Sequence, residues 1–101
     1  MAKNRAKEKN LPFDIDADYV FQLYNKQNGL CAISNLEFNL AKPDKARHTR
    51  FDAPSLDRII PELGYTKGNV RLVIYQVNCA LSNFGLDTFL YVINKIQERH
   101  A

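Results

Sequence analysis

Pro54-Ser-Leu-Asp-Arg-Ile-Ile60-Pro-Glu-Leu-Gly64-Tyr-Thr-Lys-Gly68-Asn-Val-Arg-Leu-Val-Ile-Tyr75-Gln-Val-Asn78-Cys-Ala-Leu-Ser-Asn83 contains a change of hydrophobic period from two to helical. Val70, Leu72 and Ile74 alternate with other residues over 69–75, which predicts a strand with one apolar face. The segment 54–60 alternates more loosely and stops at Pro61, a first strand, and Gly64 to Gly68 is a turn-rich link between the two. A helix is predicted directly after the second strand, from about Gln76 to Asn83, closed by Gly85.

Outward from this strand, loop, strand and helix, the flanks read as helical. Val20, Leu23, Tyr24 and Gln27 follow i, i+3, i+4, i+7 spacing between Asp16 and Asn28, with Gly29 as the stop. At the other end Phe89, Leu90, Ile93 and Ile96 form the apolar stripe of a last helix, with Asp87 as its expected N-cap. The short apolar runs 30–33 and 36–38, split by Ser34-Asn35, predict a small hairpin. Residues 41–52 show neither period and carry Lys42, Lys45, Arg47 and Arg50, an exposed basic loop. Residues 1–10, with four basic side chains against Glu8, read as a flexible basic arm, or equally as a solvated tail, leaving 11–101 as a single domain.

The chain has 101 residues, enough for one hydrophobic core and too few for two. It has no long apolar run and its first residues lack the apolar stretch of a secretory signal, so the expectation is a soluble cytoplasmic protein without a membrane partner. Two cysteines, Cys31 and Cys79, make no disulfide framework and no Cys-x-x-Cys pair, and buried free thiols are expected. A net charge of +3 and a pI near 9.0 favour a polyanionic partner.

Ser55-Leu-Asp-Arg-Ile59, then Gly64-Tyr-Thr-Lys-Gly-Asn-Val-Arg-Leu-Val73, then Asn78 resemble the phage and prophage branch of the HNH (ββα-metal) endonucleases, and Gln27-Asn-Gly-Leu-Cys-Ala-Ile-Ser34 is similar to the segment that opens that branch. The likeness extends from about Phe21 to Leu81; the ordered set, with its nine-residue step from Asn69 to Asn78, is far more specific than any one piece. It implies an α+β fold, a small ββα-metal (His-Me finger) core flanked by an N-terminal and a C-terminal helix. It also implies a metal-dependent DNA endonuclease, a phosphodiester hydrolase.

Carried over residue by residue, the resemblance makes Asp57 a metal ligand, puts Arg58 at the position of the catalytic His, gives Asn69 the bracing of the loop and makes Asn78 the second ligand. The implied ion is Mg²⁺ or another divalent cation such as Mn²⁺, hard cations that prefer oxygen and keep several waters. Zinc-bearing members of the wider family hold a structural ion with paired cysteines; the corresponding positions here are Ile74 and Val77, so no structural zinc is expected.

Arg58 departs from the pattern, because a guanidinium cannot accept a proton near neutral pH. Three readings stay open. Arg58 clamps phosphate while another group takes the proton, with His48 the candidate; or Tyr65 or bulk hydroxide serves; or the copy binds without cutting. A loop histidine among basic residues is also what a merely solvent-exposed His looks like, and His100 at a helix C-terminus has an ordinary electrostatic explanation. Ile60 stands where an acidic residue is common in the branch.

The implied partner is DNA, double-stranded, held through phosphates by Lys42, Arg47, Arg50, Lys67 and Arg71, with a log–log salt dependence of roughly −0.9 per phosphate neutralised. A homodimer is one route to cutting both strands. The alternative function is a catalytically inactive HNH-fold DNA-binding module or regulator.

Overall fold

Asp16 begins the first helix by accepting the Tyr19 N–H at 2.8 Å, which satisfies one of the donors a helix N-terminus leaves unpaired. A computed structural model of the chain describes residues 11–42 and 49–101; the arm expected over 1–10 and the loop residues 43–48, with Lys45, Arg47 and His48, lie outside the described residues. Helix α1 (Ala17–Lys26) ends two residues before the expected Asn28, and Asn28 and Gly29, both at positive φ, turn the chain away from its axis.

Gln27, at the C-cap, does more than continue the helical stripe. Its side-chain amide donates to the Leu72 carbonyl at 2.9 Å and accepts the Leu72 N–H at 3.0 Å. A two-stranded sheet has edges on both sides, and each free N–H and C=O there needs a partner. The Gln27 amide stands in for part of a third strand.

The sheet pairs β1 (Pro54–Arg58) antiparallel with β2 (Val70–Ile74), and their register sets Ser55 opposite Val73, Leu56 opposite Leu72 and Asp57 opposite Arg71. β1 is shorter than the expected 54–60, because Pro61 starts a 3-10 turn (Pro61–Leu63) and the Ile60 N–H turns to a side chain instead of the ladder. β2 is buried on both faces, with Val73 at 0% exposure, so the alternation of Val70, Leu72 and Ile74 caught only half of its burial.

Helix α2 (Tyr75–Leu81) follows β2 without a gap, and helix α3 (Gly85–His100) follows after a three-residue turn. Ser82, at φ 47°, ends α2; Gly85 is the first residue of α3 and not a stop. Asp87 lies in the first turn of α3, where its charge suits the helix N-terminus, and is not the cap expected for it.

The larger core cluster joins Cys31, Phe38, Leu72, Val73, Ile74, Val77 and Leu81, with Leu86 and Phe89 packed against it. The front end of α3 joins this cluster and Ile93 is half-buried, whereas Leu90 and Ile96 stay exposed. A seven-residue α2 reaches about 10 Å and a sixteen-residue α3 about 24 Å, so the longer helix overruns its neighbour.

Two further expectations are corrected. The hairpin over 30–38 reduces to a single bridge, Leu30 to Glu37, because its donors go elsewhere: the Ala32 N–H bonds to the Leu72 carbonyl and the Ser34 N–H to Cys31 Sγ. Cys31 is buried as expected, but Cys79 is exposed. Burial pushes the Cys31 thiol up, and hydrogen bonds from Ser34, Ile33 and Ile74 outweigh it, leaving the thiol below its ordinary value.

The described residues therefore form a small α+β unit, one antiparallel pair of strands with three helices. None of those helices is long and apolar enough to cross a membrane.

Candidate functional site

Successive residues of a strand point to opposite faces, whereas residues directly opposite on paired strands share one. Asp57 is therefore turned away from its neighbour Arg58 and towards Arg71, its register partner, whose Nε donates to Asp57 Oδ2 at 2.7 Å. At 7% exposure Asp57 is one of two buried polar residues of the described core. A buried carboxylate needs such a partner, since desolvation of an unpaired charge is costly.

Asn78, on the first turn of α2 after Tyr75, reaches back across the hairpin. Its Nδ2 donates to Ser55 Oγ at 2.6 Å and to the Leu56 carbonyl at 2.9 Å, which fastens the helix to β1. Arg58 is held at two points: one terminal nitrogen donates to the Pro61 carbonyl at 3.2 Å, and its guanidinium carbon lies 5.3 Å from the centre of the Tyr65 ring. Asp57, Arg58 and Asn78 all line one cleft of about 730 Å³, together with Ser55, Tyr65 and Tyr75.

Asn69 is the other buried polar residue, at 6% exposure. Its Oδ1 accepts the Ile60 N–H at 3.0 Å, and its Nδ2 donates to the carbonyls of Ile60 at 3.0 Å and Gly64 at 2.7 Å. One amide thus closes the whole connection between β1 and β2, since it alone offers a donor and an acceptor at one short tip. Asn69→Asp keeps the acceptor but sets a carboxylate against two carbonyls. We expect it to cost about 2–3 kcal/mol, read as a lower denaturation midpoint; an unchanged midpoint would refute the bracing role.

Of the cations proposed to meet DNA, Lys42 and Lys67 are exposed, Arg50 is half-buried and donates to the Lys42 carbonyl at 3.3 Å, and Arg71 is engaged by Asp57. Arg47 and His48 lie outside the described residues. Three participants were not singled out from sequence in these roles: Arg71 as the partner of Asp57, Tyr65 beneath Arg58, and Ser55 under Asn78. The Asp57–Arg71 pair was within reach of sequence reasoning, because an acid and a base on two predicted strands become neighbours once a register is assumed.

The donors that could face a divalent cation are two side-chain oxygens. Asp57 uses Oδ2 and Asn78 uses Nδ2, so Asp57 Oδ1 and Asn78 Oδ1 carry no hydrogen bond among the described residues. Two oxygen donors fit a hard divalent cation that keeps most of its waters. No group of three or more His, Cys, Asp or Glu able to hold a metal occurs among the described residues. Ile74 and Val77 pack with Cys31 in the apolar cluster. Comparison of the chain with family models, with curated proteins and with solved structures gave no match.

Proposed function

We propose that the chain is a metal-dependent HNH-type DNA endonuclease that hydrolyses phosphodiester bonds. The observation that carries the reading is the meeting of Asp57, Arg58 and Asn78 in one cleft between a β-hairpin and the helix that follows it. Two of these positions are neighbours on a strand and the third lies on a helix twenty residues on, and the order in which they occur is that of the HNH pattern.

In this reading Asp57 and Asn78 would hold a Mg²⁺ or Mn²⁺ ion, which would supply Lewis-acid stabilisation of charge on the phosphate oxygens and on the leaving group. Arg58, fixed by Pro61 and Tyr65, donates its remaining N–H groups to the phosphate as negative charge develops. Asn69 keeps the loop after β1 from moving, so that Arg58 is presented in one place. His48 is retained as the proton acceptor. Lys42, Arg47, Arg50 and Lys67 bind flanking phosphates of duplex DNA.

Supercoiled plasmid incubated with the protein should be nicked or linearised with Mg²⁺ or Mn²⁺ and untouched in EDTA. Arg58→Ala should lose most of the rate, and His48→Ala should lose it if His48 is the base. A second reading, DNA binding without cleavage, is favoured by the occupation of Asp57 by Arg71 and predicts retention of plasmid without any cut under every divalent ion.

A further inference from the structure

Asp57 and Arg58 are the charged side chains lining the cleft among the described residues, and Asp57 is already neutralised by Arg71 at 2.7 Å. Arg58 lines the cleft and Arg71 is bonded to its one carboxylate, so two guanidiniums are set against one negative charge. A divalent cation approaching Asp57 Oδ1 meets a site of net positive charge in a partly buried place, where repulsion is poorly screened by salt. A phosphodiester meets the opposite field.

Resting on the nuclease reading, we infer that the cleft is an anion site first: it takes a phosphodiester of DNA without any metal, and a divalent cation joins only after the phosphate has arrived. Arg71 spends Nε on Asp57 and keeps its two terminal nitrogens, which carry no hydrogen bond among the described residues. Arg58 keeps those of its donors not turned to Pro61. Arg58, which lines the cleft, can receive phosphate oxygens in the planar forked geometry that guanidinium favours. The bound phosphate then contributes negative charge and oxygen ligands that two protein oxygens alone do not supply, the arrangement in which Mg²⁺ is commonly held. Arg71 is a positioning residue here: it aims the Asp57 carboxylate and sets how weakly the empty cleft attracts a cation.

Linkage makes the claim measurable, because whatever phosphate does for cation affinity the cation must do for phosphate affinity. The full chain is titrated with Mn²⁺, free ion being counted by electron paramagnetic resonance, alone and with a short phosphorothioate duplex that resists cleavage. Duplex binding is followed separately by fluorescence anisotropy in EDTA. The duplex should bind in EDTA, and Mn²⁺ should bind the complex at least about tenfold more tightly than the free protein. Arg71→Gln should tighten Mn²⁺ binding to the free protein several-fold and narrow that gap, while Arg71→Lys, which keeps the charge, should preserve it. Should Arg71→Gln fail to fold, the comparison of free and complexed wild type decides alone.

Equal Mn²⁺ affinity in the two states, or duplex binding that requires a divalent ion, overturns the inference. Duplex binding in EDTA with no Mn²⁺ uptake in either state overturns the metal-dependent nuclease instead and leaves a plain phosphate-binding cleft.

Discussion

Asp57→Asn is expected to reduce plasmid cleavage about a thousandfold while leaving the protein folded. Asparagine has nearly the shape of aspartate, and its amide oxygen can still accept the Arg71 Nε–H now bonded to Oδ2 at 2.7 Å. What it lacks is the charge. A metal ligand reduced from carboxylate to amide loses several kcal/mol of stabilisation in the transition state, and about 1.4 kcal/mol is a factor of ten in rate. The cost in stability should be near 1–2 kcal/mol, since a hydrogen bond is kept and one ion pair is lost. Asp57→Ala should cost more, because it leaves Arg71 without its partner in a half-buried place. Plasmid nicking rates and thermal melting of the same preparations separate the two effects. Asparagine that cleaves like wild type removes Asp57 from the proposed metal site and leaves it as the structural half of an ion pair.

Gly64→Ala should cost roughly 3–5 kcal/mol, one of the largest losses of stability available to a single methyl group in this chain. Gly64 has φ 72° and ψ −162°, a region that is essentially confined to glycine. A Cβ placed there would lie 2.4 Å from the Pro12 carbonyl oxygen and 3.0 Å from Pro12 Cδ. Neither can step aside freely: the same Pro12 oxygen accepts the Tyr65 N–H at 3.0 Å, and the Asp14 N–H donates to the Tyr65 carbonyl at 3.1 Å. At roughly 5 °C per kcal/mol for a domain near this size, the melting temperature should fall by about 15–25 °C. Arg58 should lose its platform as well, because Tyr65 is the next residue. A variant melting within a few degrees of wild type would refute the close approach of Pro12 to Gly64.

The Gly64 contact also marks the limit of what local pattern conveys. Leu11-Pro12-Phe13 reads as the end of an arm, because a proline disfavours helix in the residue before it. In the folded chain Phe13 makes a parallel bridge to Tyr65, more than fifty residues away in sequence. No period in either segment announces this, since a single bridge leaves no alternation. Gln27 is similar: its spacing places it on the helical stripe, but its amide is used to satisfy Leu72.

Local chemistry was sufficient for the strands and helices, though not over 30–38, where the expected hairpin reduces to the bridge from Leu30 to Glu37. The start of a helix at Asp16, the period-two run through Val70, Leu72 and Ile74, and the switch to a helix just beyond it all follow from steric and hydrogen-bonding preferences that act over a few residues, and the α+β composition with them. Pairings needed the tertiary structure. Whether Asp57 meets Arg58 or Arg71, whether Asn69 bonds one carbonyl or two, and how far the α3 stripe is covered depend on register and on the length of neighbouring elements. Those are set by long-range packing, which brings side chains together after the local preferences have been met.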